Sequence, residues 1–278
     1  MISHPKHGTM KVSYKQSLKT LLPYGMLATK KWLVEQGLSA HAVDNAVKTD
    51  TLLLLATGVY SQYSLEITWE GVVASMQHMM NKDLEEQVPP VVVGGLSALS
   101  ISGFAQYLSL GNTQQIHLYT KGKLPSWLHR LSLPVKFKGH STTKLWADGL
   151  SKDRALVKQY KWREELPPVY ISCPEKAILE VLVDLPESVS FEHADELMQG
   201  LVNLSPRKLD ILLKACKSVK AKRLFFWLAK RQAYSWFDKL NVENYDLGSG
   251  KRVIVKGGKL DKEYLITVPE HTAVGTKG

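Results

Sequence analysis

The sequence predicts a mixed α/β chain in two parts, an N-terminal winged helix-turn-helix followed by a larger α+β domain. Three observations predict it. Gly25 to Gln62 orders a helix, a short Gly turn, a capped helix and a hairpin, which are the parts of a winged helix. From Val91 onward, short apolar strands alternate with helices. Between them, the acidic stretch Lys82 to Pro90 ends in Pro89-Pro90, which cannot continue a helix. The boundary is therefore placed there, with 1–88 as winged helix plus connecting helix and 89–278 as the larger domain.

Each element has its own signal. Tyr14 to Leu22 is a short amphipathic helix whose Leu18, Leu21 and Leu22 close the small core. A helix from about Met26 to Gln36 buries Leu27, Trp32, Leu33 and Val34, and Gly37 supplies the left-handed residue that ends it. Ser39 is the natural N-cap of a second helix, Ala40 to about Thr49, apolar on Ala42, Val43, Ala46 and Val47. Leu52–Ala56, the turn Thr57-Gly58 and the returning Val59-Tyr60 form the wing. Ile67 to Asn81 is a connecting helix, with Trp69, Val72, Val73, Met76 and Met79-Met80 at helical spacing.

In the larger domain, Val91–Val93 reads as a buried strand, and Gly94-Gly95 opens a helix through Leu108. Strands follow at Gln115–Thr120 and Val135–Lys138, with a short helix at Ser126–Leu131 between them. Tyr160–Trp162 and Val169–Ser172 are two more strands, separated by Leu166-Pro167-Pro168. Four helices come next: Pro174–Leu185, Phe191–Leu204, Pro206–Lys217 and Lys220–Arg231. Pro174 and Pro206 sit at the first helical position, where the missing N–H has no intrahelical partner to lose. A hairpin of Arg252–Lys256, Gly257-Gly258 and Tyr264–Val268 closes the chain.

Composition narrows the function. The 278 residues are 44% hydrophobic, ordinary for a folded protein. No apolar run approaches the roughly 18–20 residues of a membrane span, and Met1 to Lys11 has no apolar signal core. The expectation is a cytoplasmic protein without a membrane partner. Cys173 and Cys216 have no CxxC partner or nearby His pair, and read as buried small hydrophobes. The net charge of +10 is unevenly placed: residues 205–262 carry 15 basic and 5 acidic side chains, whereas 66–204 carry 13 and 16. Such a basic end favours a polyanion or an acidic protein surface; a solvated basic face is the competing reading.

On the second helix of the winged module, Ser39, His41, Asp44, Asn45 and Lys48 lie outside the apolar stripe. Asn45 has the chemistry to read adenine, while Lys48, Lys30, Lys31 and the wing residues Tyr60, Ser61 and Gln62 can hold phosphates. The helix has no Arg and carries Asp44, so affinity requires two copies on a repeated site or help from the basic end. A degenerate winged helix used only for protein contact is the alternative. Near the C-terminus, Lys222, Arg223, Lys230 and Arg231, with Lys251 and Arg252 beyond them, form the candidate surface for a polyanion or an acidic partner. Leu224, Phe225, Phe226, Trp227 and Leu228 interleave with them and read as core rather than as a base-stacking surface.

Asp246-Leu-Gly-Ser-Gly-Lys-Arg252 invites a phosphate-loop reading and fails it. The motif needs Gly where Tyr245 stands, Ser or Thr where Arg252 stands, and a helix where a hairpin follows. The nine histidines show no HxxxH or HExxH spacing, and no GxSxG is present. No enzyme, metal or cofactor is therefore expected.

Several segments in order resemble the AbiEi family of antitoxins from AbiE-type (type IV) toxin–antitoxin systems. They are Gly58-Val-Tyr60, Gly94-Gly-Leu-Ser-Ala-Leu99 with Gly103-Phe-Ala-Gln-Tyr-Leu108, and Cys173-Pro-Glu-Lys-Ala-Ile-Leu-Glu180. Lys222-Arg-Leu-Phe225, Asp246 to Arg252, Gly257-Gly-Lys-Leu-Asp261 and Tyr264 to Pro269 complete the set. The resemblance implies a winged helix that binds inverted repeats in its own promoter and represses the operon. It also implies a larger domain that neutralises a cognate AbiEii-type nucleotidyltransferase toxin, often in phage defence. The alternative function is a stand-alone winged-helix transcription regulator whose larger domain senses a ligand or oligomerises.

Overall fold

The computed structural model describes residues 14–63, 66–81, 88–104, 114–150 and 153–270. The N-terminal module runs α1 (Tyr14–Leu21), β1 (Leu27–Thr29), α2 (Lys30–Glu35), α3 (Ala40–Lys48), β2 (Leu52–Ala56) and β3 (Val59–Gln62). Its antiparallel sheet has the order β1-β3-β2. Helix, strand, two helices and a hairpin whose last strand pairs with the first is a winged helix. One expectation is corrected here: Met26 to Gln36 is not a single helix. Leu27–Thr29 pairs with β3, and the Thr29 side chain then accepts from the Trp32 N–H as the N-cap of a shorter α2. Gly37 does take the left-handed conformation (φ 96°), and Ser39 caps α3 through the Ala42 N–H.

α4 (Trp69–Met80) is buried from Gly71 to Gln77 and is hydrogen-bonded on two sides. Toward the winged helix, Ser75 Oγ accepts from the Leu27 N–H at 2.8 Å. Toward the larger part, the Gln77 amide donates to the Val91 and Tyr170 carbonyls and accepts from the Tyr170 N–H. Buried amides that satisfy both donors and their acceptor fix position as well as lowering energy.

The larger part adds β4 (Val91–Val93), α5 (Gly95–Ile101), β5 (Gln114–Thr120), β6 (Val135–Ser141), β7 (Val157–Tyr160) and β8 (Val169–Ser172). These strands form a five-stranded sheet in the order β6-β5-β4-β8-β7. β5–β6 and β4–β8 are parallel; β4–β5 and β7–β8 are antiparallel. All three valines of β4 are buried, so this central strand is covered on both faces. Four helices follow, α6 (Pro174–Val183), α7 (Phe191–Gly200), α8 (Pro206–Ala215) and α9 (Val219–Gln232). α9 sends Phe225, Phe226 and Leu228 into their common core. A hairpin of β9 (Lys259–Asp261) and β10 (Ile266–Val268) ends the described chain. Among the described residues, no helix is long and apolar enough to cross a membrane.

Three further expectations shift. The helix from Gly95 closes at Ile101 with Ser102 as C-cap; residues 105–108 lie outside the described set. The strand expected at Tyr160–Trp162 is β7, which ends at Tyr160, because Trp162 leaves the sheet and its indole N–H donates to the Pro167 carbonyl at 3.0 Å. The final hairpin turns after Asp261 rather than at Gly257-Gly258. Asp261 Oδ1 accepts from the N–H groups of Glu263 and Tyr264, an Asx-type turn that fixes where the chain reverses. Arg252 instead bridges Ile266 in parallel.

Candidate functional site

The exposed face of α3 carries His41, Asp44, Asn45 and Lys48, while Val43 and Ala46 are buried beneath it. Asp44 is not an isolated negative charge. Lys30 Nζ at the start of α2 meets its carboxylate at 2.5 Å, and this contact holds the Asp44 carboxyl below and the Lys30 ammonium above their usual ranges. Lys30 is therefore occupied, whereas Lys31 projects into solvent with only a 3.8 Å approach to Glu35. Ser39 is exposed but its oxygen is engaged by the cap. What α3 exposes is His41, Asn45 and Lys48, and Lys31 is exposed on α2.

The wing residues need correction. Tyr60, Ser61 and Gln62 are all buried although they alternate between the two faces of β3, so both faces of this middle strand are covered there. The Gln62 amide donates to the Leu22 carbonyl and locks α1 onto the sheet. Burial withdraws all three from the surface of the wing. Leu53, Leu54 and Tyr63 are the exposed large side chains of this hairpin. Continuous apolar character over Met26-Leu27-Ala28 ahead of a capping Thr was the sequence signal that a third strand would enclose β3.

The basic cluster also divides. Lys222 and Arg223 are 4% and 2% exposed and do not belong to any surface. Arg223 donates Nε to the Leu247 carbonyl (2.7 Å), Nη1 to those of Gly250 (2.7 Å) and Leu265 (3.2 Å), and Nη2 to that of Gly248 (3.1 Å). The 246–252 loop thus turns its carbonyls inward around a cation, the reverse of a phosphate loop, which offers N–H groups to an anion. Lys230 pairs with Glu263. Arg231 lies 3.7 Å from Asp195 and over the Trp227 ring. Lys251 and Arg252 remain exposed, and the same segment adds exposed Lys256, Lys259, Lys262 and Val253.

Sequence reasoning missed a buried polar cluster on the five-stranded sheet. Glu180 Oε2 accepts from the Gly95 N–H, and its Oε1 accepts from Lys176 Nζ (2.8 Å) and Ser172 Oγ. Beside it, Tyr119 stacks on His140, and His140 Nε2 stands 2.9 Å from His117 Nδ1. Burial, then His140 and Lys138, lowers the His117 pKa to about 4; burial also lowers that of His140, against an opposing pull from Asp184. Burial, reinforced by Glu180 and Asp184, holds the Tyr119 phenol well above its ordinary value. Tyr119 and Lys176 also line a cavity of about 490 Å³ together with Met80, Pro90, Trp146 and Leu156. The Trp146 indole N–H is buried and meets no partner among the described residues. Cys173 and Cys216 are buried thiols, the former pushed up to about 12 chiefly by burial and then by Glu175.

Comparison with known proteins agrees with this architecture. The family model described as transcriptional regulator, AbiEi antitoxin, type IV toxin–antitoxin system matches residues 113–269. The model described as the N-terminal domain of that antitoxin matches residues 11–110. The crystal structure of the RV2827C protein from Mycobacterium tuberculosis superposes with a TM-score of 0.51 at 14% identity, covering 91% of this chain and 88% of that one, a likeness of fold. No curated protein matches the chain.

Proposed function

The chain belongs to the AbiEi family of antitoxin transcriptional regulators of type IV toxin–antitoxin systems, and on that premise we propose a division of labour. The winged helix represses the operon by binding inverted repeats in its promoter, and residues 89–278 neutralise a cognate nucleotidyltransferase toxin. The observation that carries the first half is the exposed face of α3, where His41, Asn45 and Lys48 stand clear of the core. Asn45 reads an adenine edge, and Lys48 and Lys31 hold phosphates on either side. One module supplies few cations, so two copies on a repeated operator provide the affinity.

Asn45→Ala with Lys48→Ala is expected to weaken operator binding about 10- to 100-fold, the loss of one bidentate base contact and one phosphate contact. Both side chains are exposed, so stability stays unchanged. An operator gel-shift series at fixed salt checks this, alongside a promoter reporter. Wild-type repression by the double variant removes α3 as the reader.

For neutralisation, the basic face lies on 251–262, not on α9. Lys251→Glu with Arg252→Glu is expected to abolish growth rescue from the neighbouring toxin while leaving the melting temperature within a degree or two. Full rescue by that variant rejects the basic face. A second reading, a regulator whose larger part senses a small molecule, draws on the 490 Å³ cavity, whose wall includes Met80 and Asn81 at the end of α4. It predicts no rescue by the wild-type chain of cells expressing the neighbouring gene.

A further inference from the structure

We propose that His117, His140 and Asp184 form a binding site for a divalent transition-metal ion of the zinc class. The two histidines are 23 residues apart in sequence, so linear spacing hides them. β5 and β6 bring them together. They run parallel with Tyr119 opposite His140 and His117 opposite Lys138, which places His117 and His140 diagonally on one face of the sheet. Nδ1 of His117 and Nε2 of His140 stand 2.9 Å apart, with the rings stacked at 17°. Asp184, the C-cap of α6, brings its carboxylate to 3.8 Å from the other ring nitrogen of His140. One ligand atom from each residue can be chosen so that all three lie within 4.8 Å of one another.

Two imidazole nitrogens and one carboxylate oxygen are the donor set with which zinc keeps a fourth position open. The same set disfavours magnesium and calcium, which take oxygen ligands throughout. All three ligands come from strands or a helix end, which hold metal ligands in place better than loops do. His117 is buried, while the His140 and Asp184 side chains are 13% and 23% exposed, so the ion enters from their side. Tyr119 packs on the His140 ring at 4.6 Å and sets its plane. Lys138, the nearby cation, is turned to Ser188 Oγ. An ion held by the three residues replaces the proton between the two near nitrogens, and the Asp184 carboxylate, now beside Nδ1 of His140, must swing toward that ion to join the set. Binding ties β5 and β6 to the end of α6, and therefore stabilises the fold by mass action.

The test is titration of the chelator-treated full chain with Zn²⁺ by calorimetry, and with Co²⁺ by visible absorption. Wild type and His129→Gln, whose histidine is exposed elsewhere, are expected to take up one equivalent, with cobalt d–d bands of a low-coordinate nitrogen–oxygen site. His140→Gln is expected to bind that equivalent at least about tenfold more weakly and to lose the bands. If circular dichroism shows that His140→Gln does not fold, Asp184→Asn on the more exposed ligand gives the same comparison. Retention of the equivalent at wild-type affinity by the folded ligand variant overturns the proposal. So does wild-type protein that binds neither metal, or that binds cobalt without d–d bands.

Discussion

Arg223→Met is expected to lower stability by about 2–4 kcal/mol, the loss of charge-assisted hydrogen bonds to main-chain carbonyls less what water restores. The side chain is 2% exposed and gives four hydrogen bonds to four main-chain carbonyls. Methionine fills similar volume but donates nothing, so the carbonyls of Leu247, Gly248, Gly250 and Leu265 lose a partner together. These bonds are part-buried, Gly248 and Gly250 are exposed residues, and the Leu265 carbonyl keeps the Arg252 N–H, so water and that bond recover part of the loss. Against the roughly 5–15 kcal/mol that holds an ordinary domain together, the remaining loss is large. Arg223→Lys keeps the charge but, with one ammonium in place of a planar fork, cannot reach all four acceptors; it falls between the two. Urea denaturation of the three proteins supplies the ranking. A midpoint for Arg223→Met indistinguishable from wild type would mean that the loop holds itself without the guanidinium. The same geometry governs how rescue experiments are read. Charge reversal at Lys222 and Arg223 abolishes rescue by unfolding the chain, whereas reversal at Lys251 and Arg252 tests a surface.

The contrast between these two pairs shows where sequence reading succeeds. Apolar spacing located α3, β8 and the starts of α6, α7 and α8 because caps and N-terminal prolines act within four residues. Ser39, Ser190, Ser205 and Pro174 each exert that local control. Burial of a charged residue is not local. Lys222 and Arg223 carry the same formal charge as Lys251 and Arg252, and for Arg223 it is the return of the 246–252 loop onto its guanidinium that makes the difference. Tyr60 and Gln62 looked like wing residues because the hairpin β2–β3 is legible by itself. That β1 pairs along its other edge depends on a segment some thirty residues earlier. His117 and His140 were unreadable for the same reason, since the parallel register of β5 and β6 is set by long-range packing. Charge counts fared better at coarse scale: the basic excess over 205–262 leaves an exposed cluster on 251–262 even after two of its members are buried.

Glu180→Gln is expected to destabilise the larger part of the chain by about 3–5 kcal/mol although it changes only one atom, because Lys176 is left as a buried cation without its counter-charge. Lys176 and Glu180 are 7% and 1% exposed and form an i,i+4 pair on α6. The carboxylate also receives the Ser172 hydroxyl from β8 and the Gly95 N–H at the start of α5, so it joins three elements. Gly94 admits it: a Cβ there would collide with the Glu180 carboxylate and the Tyr119 ring. Two effects compete in this pair, the cost of taking both charges from water and their attraction in a low-dielectric setting. Removing one charge forfeits the attraction and keeps half the cost; removing both does not. Lys176→Met with Glu180→Leu is therefore expected to be more stable than either single variant, and a double-mutant cycle by urea denaturation measures the coupling. Near-additive losses in the cycle would place the energy in the Ser172 and Gly95 bonds rather than in the ion pair. Growth rescue by the double variant then decides what the Cys173 to Glu180 segment is for. Retained rescue makes the pair a structural clasp between sheet and helix. A folded double variant that fails to rescue would mean that the carboxylate or the lysine acts beyond the fold, through the cavity that Lys176 lines.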